Sequence, residues 1–229
     1  MSAQQDERRR QEEGGGRSIQ RAPKVSPRHA GTAAPLMLDN VDTDVISPLG
    51  KPPTPGMTRE TAAFEPIRFH SDGRERRDFI LNREGFRKSS ILIVGKNFGT
   101  GSSRGTAVSR PMDGGIRVVI GESFGPLFYD NSVQQGLIAI ALPRPTINKL
   151  AAWALANPGN SMSVDIEKEV IEIGGMEPIP FKLEPRVRNK FLKGLTNLQE
   201  LQTYGEQIDS FEEKQRKNRP WVYQVNKPQ

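Results

Sequence analysis

Ser90-Ile91-Leu92-Ile93-Val94-Gly95-Lys96-Asn97-Phe98-Gly99-Thr100-Gly101-Ser102-Ser103-Arg104-Gly105 is the stretch whose reading decides the fold. It opens with a short apolar run rich in β-branched residues and bounded by turn formers, which predicts a buried strand. The strand gives way to a loop with glycines at 95, 99, 101 and 105. Glycine admits positive φ and close approach of the backbone to a ligand. Ser102 or Ser103 is placed to cap a following helix, whose N–H groups and dipole favour an anion. Arg104 adds a fork that matches a carboxylate or phosphate. The chemistry written here is anion binding beside a hydroxyl.

Counting separates this loop from three familiar ones. A phosphate loop needs Lys then Ser/Thr after its last glycine, and no such pair occurs. The dinucleotide fingerprint needs a glycine where Arg104 stands. Gly101-Ser102-Ser103-Arg104-Gly105 does satisfy G-x-S-x-G, the nucleophile elbow of α/β-hydrolases. That reading requires an acid and then a histidine downstream, whereas the chain's two histidines, His29 and His70, both lie upstream. A glycine-rich connection that binds nothing is the plain alternative.

Moving outward, Ile116–Ile120 and Leu137–Leu142 read as further buried strands. A short helix is predicted from Arg104 to about Asp113, with Pro111 placing its second half in question. Phe124, Leu127, Phe128 and Val133 mark one helical face stopped by Gly136. Pro145–Ala156 reads as a helix with Ile147, Leu150, Ala151, Ala154 and Leu155 inward. This strand–helix–strand order predicts an α/β fold with parallel pairing. Met162–Ile166 and Val170–Ile173 suit a terminal hairpin. Phe64–Phe69, the turn at Ser71-Asp72-Gly73 and Phe79–Leu81 suggest paired segments leading to the central strand. Phe191, Leu192, Leu195 and Leu198 mark helical packing near the C-terminus.

Residues 1–33 are polar and nearly free of large apolar side chains, which predicts a disordered tail. The domain is expected over residues 34–222, with 223–229 frayed. Asp39, Asp42 and Asp44 stand close enough to suggest either a hard-cation site or a turn in which aspartates bond their own backbone. Residues 47–63 form a stiff Pro- and Gly-rich loop. At 229 residues, 34% of them apolar, the chain can bury one core with length to spare. The net charge of +6 suits anionic substrates, and without an aromatic-interleaved basic stripe it does not indicate nucleic acid. No run approaches a membrane span. Zero cysteines exclude disulfides and thiolate-held clusters on this chain.

Asn97-Phe98-Gly99-x-Gly101-Ser102-Ser103-Arg104 resembles the signature of the small subunit of 3-isopropylmalate dehydratase, the mobile swivel domain of the aconitase superfamily. Asp39-Asn40-Val41-Asp42-Thr43-Asp44-Val45-Ile46-Ser47-Pro48 resembles that family's second motif. Gly115–Ile120, Ser123-Phe124, Phe128-Tyr129, Asn131 and Gly136–Ile138 are similar to the segment that follows the serine loop. Phe211-Glu212 with Arg219-Pro220-Trp221 resembles the bacterial C-terminal ending. The similarity covers about residues 35–222 in consistent order.

The resemblance implies a swivel-domain fold: a mixed, mostly parallel sheet with flanking helices. It implies a hydro-lyase of leucine biosynthesis, cytoplasmic, active only with a large subunit that carries a [4Fe–4S] cluster, and no cofactor or metal on this chain. Residue by residue, the proton-accepting serine falls on Ser102. Asp44 joins its hydrogen-bond and proton network, and Ser103, Arg104 and Thr43 contact a hydroxy-di- or tricarboxylate substrate. Gly99 and Gly101 shape the oxyanion-binding backbone. Two departures stand out: Thr100 replaces a small residue or cysteine, and Gly105-Thr106 replaces the family's Glu-His pair. A non-catalytic swivel subunit, or one acting on another hydroxy-diacid such as citramalate or citraconate, is therefore kept as the alternative.

Overall fold

The computed structural model describes residues 25–49, 56–194 and 204–223. Seven strands form one sheet in the order β4-β3-β2-β1-β5-β6-β7. In chain order they are Arg28–Leu36 (β1), Ile91–Val94 (β2), Val118–Gly121 (β3), Ile138–Ala141 (β4), Ser161–Asp165 (β5), Val170–Ile173 (β6) and Ile179–Pro180 (β7). β1 to β4 pair in parallel, whereas β1–β5, β5–β6 and β6–β7 pair antiparallel. The sheet is thus mixed, with its parallel half where the apolar runs predicted it.

Those runs are continuous because both faces are covered. Ile91 and Ile93 enter one core with Val118, Ile120, Ile138 and Ile140, while Leu92, Val94 and Val119 enter the other. A parallel sheet coated on both sides has this pattern, in contrast to the polar–apolar alternation of a half-exposed one. The first core is closed by the helix Arg144–Ala156, which we call α5, through Ile147, Leu150, Ala151 and Ala154. The second is closed by α3 (Thr106–Asp113) and α4 (Pro126–Gln135). Short helices α1 (Thr43–Ile46) and α2 (Glu65–Arg68) precede them; α6 (Pro185–Lys193) and α7 (Gly205–Asn218) follow. α7 buries none of its side chains. Pro111 sits inside α3, which nonetheless runs to Asp113 and is capped by Gly114.

Several expectations are corrected. The predicted tail reaches into the middle of the sheet, because Arg28–Thr32 pair with Ser161–Asp165. Polar and small residues hid this strand from a periodicity argument. Small size is what it needs, since a Cβ on Gly31 would lie 2.0 Å from Ser90 Oγ. The rest of the tail, residues 1–24, lies outside the described residues, as do 50–55 of the Pro-rich loop, Leu195 and Leu198, and 224–229. Phe64–Leu81 holds no strand pair: α2 and a single bridge between Phe69 and Glu75 take its place. Here the buried Asn82 ties the backbone by donating to Arg68 O at 2.8 Å and Arg76 O at 3.0 Å, a side-chain substitute for a ladder. Leu127 and Leu155 are 46% and 48% exposed. Leu127 is one residue, about 100° of helical turn, from the buried Phe128, and Leu155 lies at the edge of its stripe.

Because β1 joins the parallel and antiparallel halves, deleting residues 1–33 removes a central pairing. The truncated chain is expected to lose cooperative thermal unfolding and accumulate as insoluble protein. A chain beginning at Ala34 that melts at the full-length Tm contradicts this topology.

Candidate active site at the carboxyl edge of the parallel strands

All four parallel strands end on the same edge, and the chain after each of them meets there. Asp39–Thr43 follows β1, Lys96–Arg104 follows β2, Glu122–Gly125 follows β3 and Arg144 follows β4. Crevices at the carboxyl ends of parallel strands are where α/β sheets place their ligands.

The loop after β2 is held from both sides by backbone hydrogen bonds. On one side, Asn40 N–H donates to Lys96 O at 2.8 Å, Gly99 N–H to Val41 O at 2.7 Å and Thr43 N–H to Thr100 O at 2.9 Å. On the other, Asn97 N–H donates to Ser123 Oγ at 2.9 Å, Phe98 N–H to Ser123 O at 3.0 Å and Gly125 N–H to Phe98 O at 2.8 Å. The Phe98 ring is fully buried and meets Phe128 edge-on at 5.3 Å. Gly99 has a φ of +73°, and a Cβ there would lie 2.3 Å from Phe128 Cγ. No other residue fits that turn. Gly101, at φ +98°, then turns the chain over Thr43, whose Oγ1 is 3.5 Å from where a Cβ would stand.

Beyond this point the side chains become available. Ser102 and Ser103 are exposed, and neither hydroxyl is hydrogen-bonded among the described residues. The expected cap is corrected: Gly105 is the N-cap of α3, with no side-chain cap bond. The serines therefore stay uncommitted. Arg104 ion-pairs through Nη1 with the exposed Asp44 and reaches Ser47 O at 3.4 Å. Its side chain is only 17% exposed. The Thr43 hydroxyl is buried and without a hydrogen-bond partner among the described residues. Thr43, Asp44, Ser102, Ser103 and Arg104 are thus brought to one edge.

The three aspartates divide into separate tasks instead of converging on a cation. Asp42 caps α1 by accepting from Val45 N–H at 2.8 Å, the turn use of Asp. Asp44 faces Arg104. Asp39 accepts from Lys96 N–H at 2.8 Å and pairs with Arg144. Hydrogen bonds from Arg144 and then from the Lys96 backbone hold its carboxyl below the usual carboxylate range. Among the described residues no group of three His, Cys, Asp or Glu side chains could hold a metal ion. With no cysteine in the chain, its residues do not fit an iron–sulfur cluster.

Neither histidine completes the hydrolase elbow. His29 is at the far end of β1 and hydrogen-bonds Ser90 Oγ at 2.8 Å. Burial, and secondarily Arg117, pushes its pKa down. His70 is exposed on the turn closed by Gly73.

The model for the aconitase C-terminal domain matches residues 28–145. The 3-isopropylmalate dehydratase small subunit of Rhodospirillum centenum is 41% identical over 193 residues, covering 84% of this chain and 95% of its own. That of Granulibacter bethesdensis is 39% identical over 197 residues, 86% and 94% of the two chains. The chain belongs to the 3-isopropylmalate dehydratase small-subunit family. Among solved structures, a 3-isopropylmalate dehydratase from Methanocaldococcus jannaschii matches with a TM-score of 0.53 and 26% identity, over 81% of this chain and 99% of that one. The expected swivel-type fold follows.

The Gly105-Thr106 pair is anchored by two side chains. Ser47 Oγ donates to Thr106 Oγ1 at 2.8 Å, and Gln135 Nε2 donates to Gly105 O at 3.0 Å. Sequence reasoning quoted Ser47 only as part of the second motif and passed over Gln135, Glu122 and Arg144. For Glu122 a signal existed, a charged residue directly after an apolar strand, whereas Arg144 follows β4 only after Leu142 and Pro143.

Gly99→Ala is the sharpest test of this small-subunit loop. Overpacking against Phe128 together with the left-handed backbone should cost about 2–4 kcal/mol. For a domain of this size that is roughly a 5–15 °C fall in Tm. An unchanged Tm contradicts the close approach of loop and ring.

Proposed function

We propose that this chain is the small subunit of a two-subunit hydro-lyase that interconverts 2-isopropylmalate and 3-isopropylmalate in leucine biosynthesis. It does so by removing water and adding it back, and acts with a large subunit in the cytoplasm. Family membership supports the reaction class, and the small-subunit names of its relatives support the partner. The observation that carries the reading is the loop edge, where two uncommitted serine hydroxyls stand beside an arginine already shaped for a carboxylate. Among the described residues no helix is long and apolar enough to cross a membrane.

The [4Fe–4S] cluster belongs to the large subunit, where it supplies Lewis acidity toward the leaving hydroxyl. This chain's residues handle the proton. Ser102 Oγ, as alkoxide, takes the proton from the carbon beside a substrate carboxylate. The C–H electron pair becomes the new C=C bond as the C–O bond breaks and hydroxide leaves. The proton on Ser102 then passes to that hydroxide, which completes the water removed and restores the alkoxide. Readdition of water reverses these steps at the neighbouring carbon. A serine is a poor base in water and needs its charge stabilised where it forms. Backbone N–H groups of the glycine turn and the Arg104 guanidinium provide that stabilisation. Arg104 engages a substrate carboxylate with the donors left over from its pair with Asp44. Asp44 belongs to the same hydrogen-bond and proton network. The Thr43 hydroxyl, buried and uncommitted, supports Gly101 or the substrate.

Gly105-Thr106 favours a second reading, because the family's glutamate is missing beside Arg104. On that reading the subunit serves another hydroxy-diacid or has lost turnover. The Ser47–Thr106 and Gln135–Gly105 hydrogen bonds give the turn a different anchor, and they support the catalytic reading. Assay of the complex with isopropylmalate and citraconate separates the two.

In the assembled complex, Ser102→Ala should leave assembly and substrate binding intact while lowering kcat by about 10²–10⁴-fold. Arg104→Lys keeps the charge but loses the fork, so KM should rise more than kcat falls. Ser103→Ala should do less than Ser102→Ala. Full turnover by Ser102→Ala rejects the base assignment, and a larger loss at Ser103 points back to the hydrolase-type elbow.

A further inference from the structure

We infer that Arg144 is a positioning residue for the serine loop, a guanidinium staple across the two chain segments that grip residues 96–100. Its kinetic consequence rests on the dehydratase reading; its structural consequence does not.

The side chain of Arg144 projects from the first turn of α5 between two carboxylates. Its Nη2 donates to Asp39 Oδ1 at 2.7 Å and to Asp39 Oδ2 at 2.6 Å. Its Nε lies 2.7 Å from Glu122 Oε2. Asp39 is at the base of the segment whose Val41 O accepts from Gly99. Glu122 immediately precedes Ser123, whose Oγ and O accept from Asn97 and Phe98. Each flank of the loop therefore has an acid at its base, and one guanidinium spans both acids.

The staple also reaches the loop itself. Asp39 Oδ1 accepts from Lys96 N–H at 2.8 Å, and it lies 2.1 Å from where a Cβ on Gly95 would be. Alanine at 95 would push the carboxylate away. The chemistry selects arginine. The planar guanidinium hydrogen-bonds Asp39 through Nη2 while its Nε lies in ionic contact with Glu122, whose Oε2 is buried and without a hydrogen-bond partner among the described residues. An ammonium, by contrast, is a point donor. Without Arg144, Asp39 and Glu122 would face each other as like charges with Lys96 the cation left beside Asp39. The flanks would separate, and misplacement of the serine by a fraction of an ångström is costly to catalysis.

Protonation provides a control. Arg144 is the main cause of Asp39's depressed pKa. A carboxylate held below its ordinary pKa contributes above that range and loses its contribution as pH falls through the depressed value. In the native chain the staple is therefore intact at neutral pH. In Arg144→Ala, Asp39 loses its main stabilising partner while Lys96 and Glu122 remain. The Lys96 backbone hydrogen bond that also lowers Asp39 is retained in the variant, so mild acidification should restore neither the variant nor the native chain.

The test uses the full chain in complex with its large subunit, and amide exchange of residues 97–100 in the full chain alone. Arg144→Ala should lower kcat by about 10–100-fold with KM within about threefold. It should also accelerate exchange at 97–100. Arg144→Lys should fall between. Adding Glu122→Gln to Arg144→Ala should return kcat to within about threefold of the native complex, because one of the opposed charges is gone. Unchanged exchange and kcat in Arg144→Ala overturn the inference. So does a double variant that does not recover, which would mean that Arg144 touches substrate or partner. If the native complex turns over no diacid, the dehydratase reading fails and exchange at 97–100 alone decides the staple.

Discussion

Backbone hydrogen bonding on both sides of residues 96–100 is the constraint on which the site depends. It continues the sheet past the end of β2, with Val41 and Thr43 on one flank and Ser123 and Gly125 on the other. A segment gripped this way cannot shift along its axis without breaking several bonds together. Phe98, buried against Phe128, removes the remaining freedom to rotate. The serines that follow are the first residues released from this grip. On the proposed dehydratase reading, a serine that must meet a substrate bound with the large subunit gains most from such preorganisation.

Ionic contacts sit at the two ends of the gripped segment and act on different things. Arg144 closes the base by joining Asp39 to Glu122. Arg104 and Asp44 pair at the other end, where Asp44 occupies one donor of the guanidinium and others remain. Both pairs are partly exposed, so salt and solvent screen them and neither is a source of folding stability. Their value lies in orientation. Stability comes instead from the two apolar layers on either side of β2, β3 and β4.

Much of this was legible in the sequence for a physical reason. Strands buried on both faces read as unbroken apolar runs, so Ile91–Val94, Val118–Gly121 and Ile138–Ala141 announced themselves. The glycines at 99 and 101 predicted the backbone they adopt. β1 stayed hidden where it pairs with β5, because Arg28, His29, Ala30, Gly31 and Thr32 form a ladder without an apolar signal. The aromatic run at 64–81 suggested strands, yet Phe64 at φ +65° and Pro66 in the first turn of α2 set a compact irregular path. Ser102 and Ser103 had the composition of a cap but stand before Arg104, which itself precedes the true N-cap at Gly105. Long-range ion pairs such as Arg144 with Asp39 depend on how loops converge in space, and no local pattern encodes that.

Reconstitution tests the central claim most directly. The chain alone, and a large subunit with its cluster assembled anaerobically, should each fail to convert isopropylmalate, and mixing them should produce turnover that saturates at one small subunit per large one. Conversion by the large subunit without this chain contradicts the claim that the serine loop supplies the proton-accepting group.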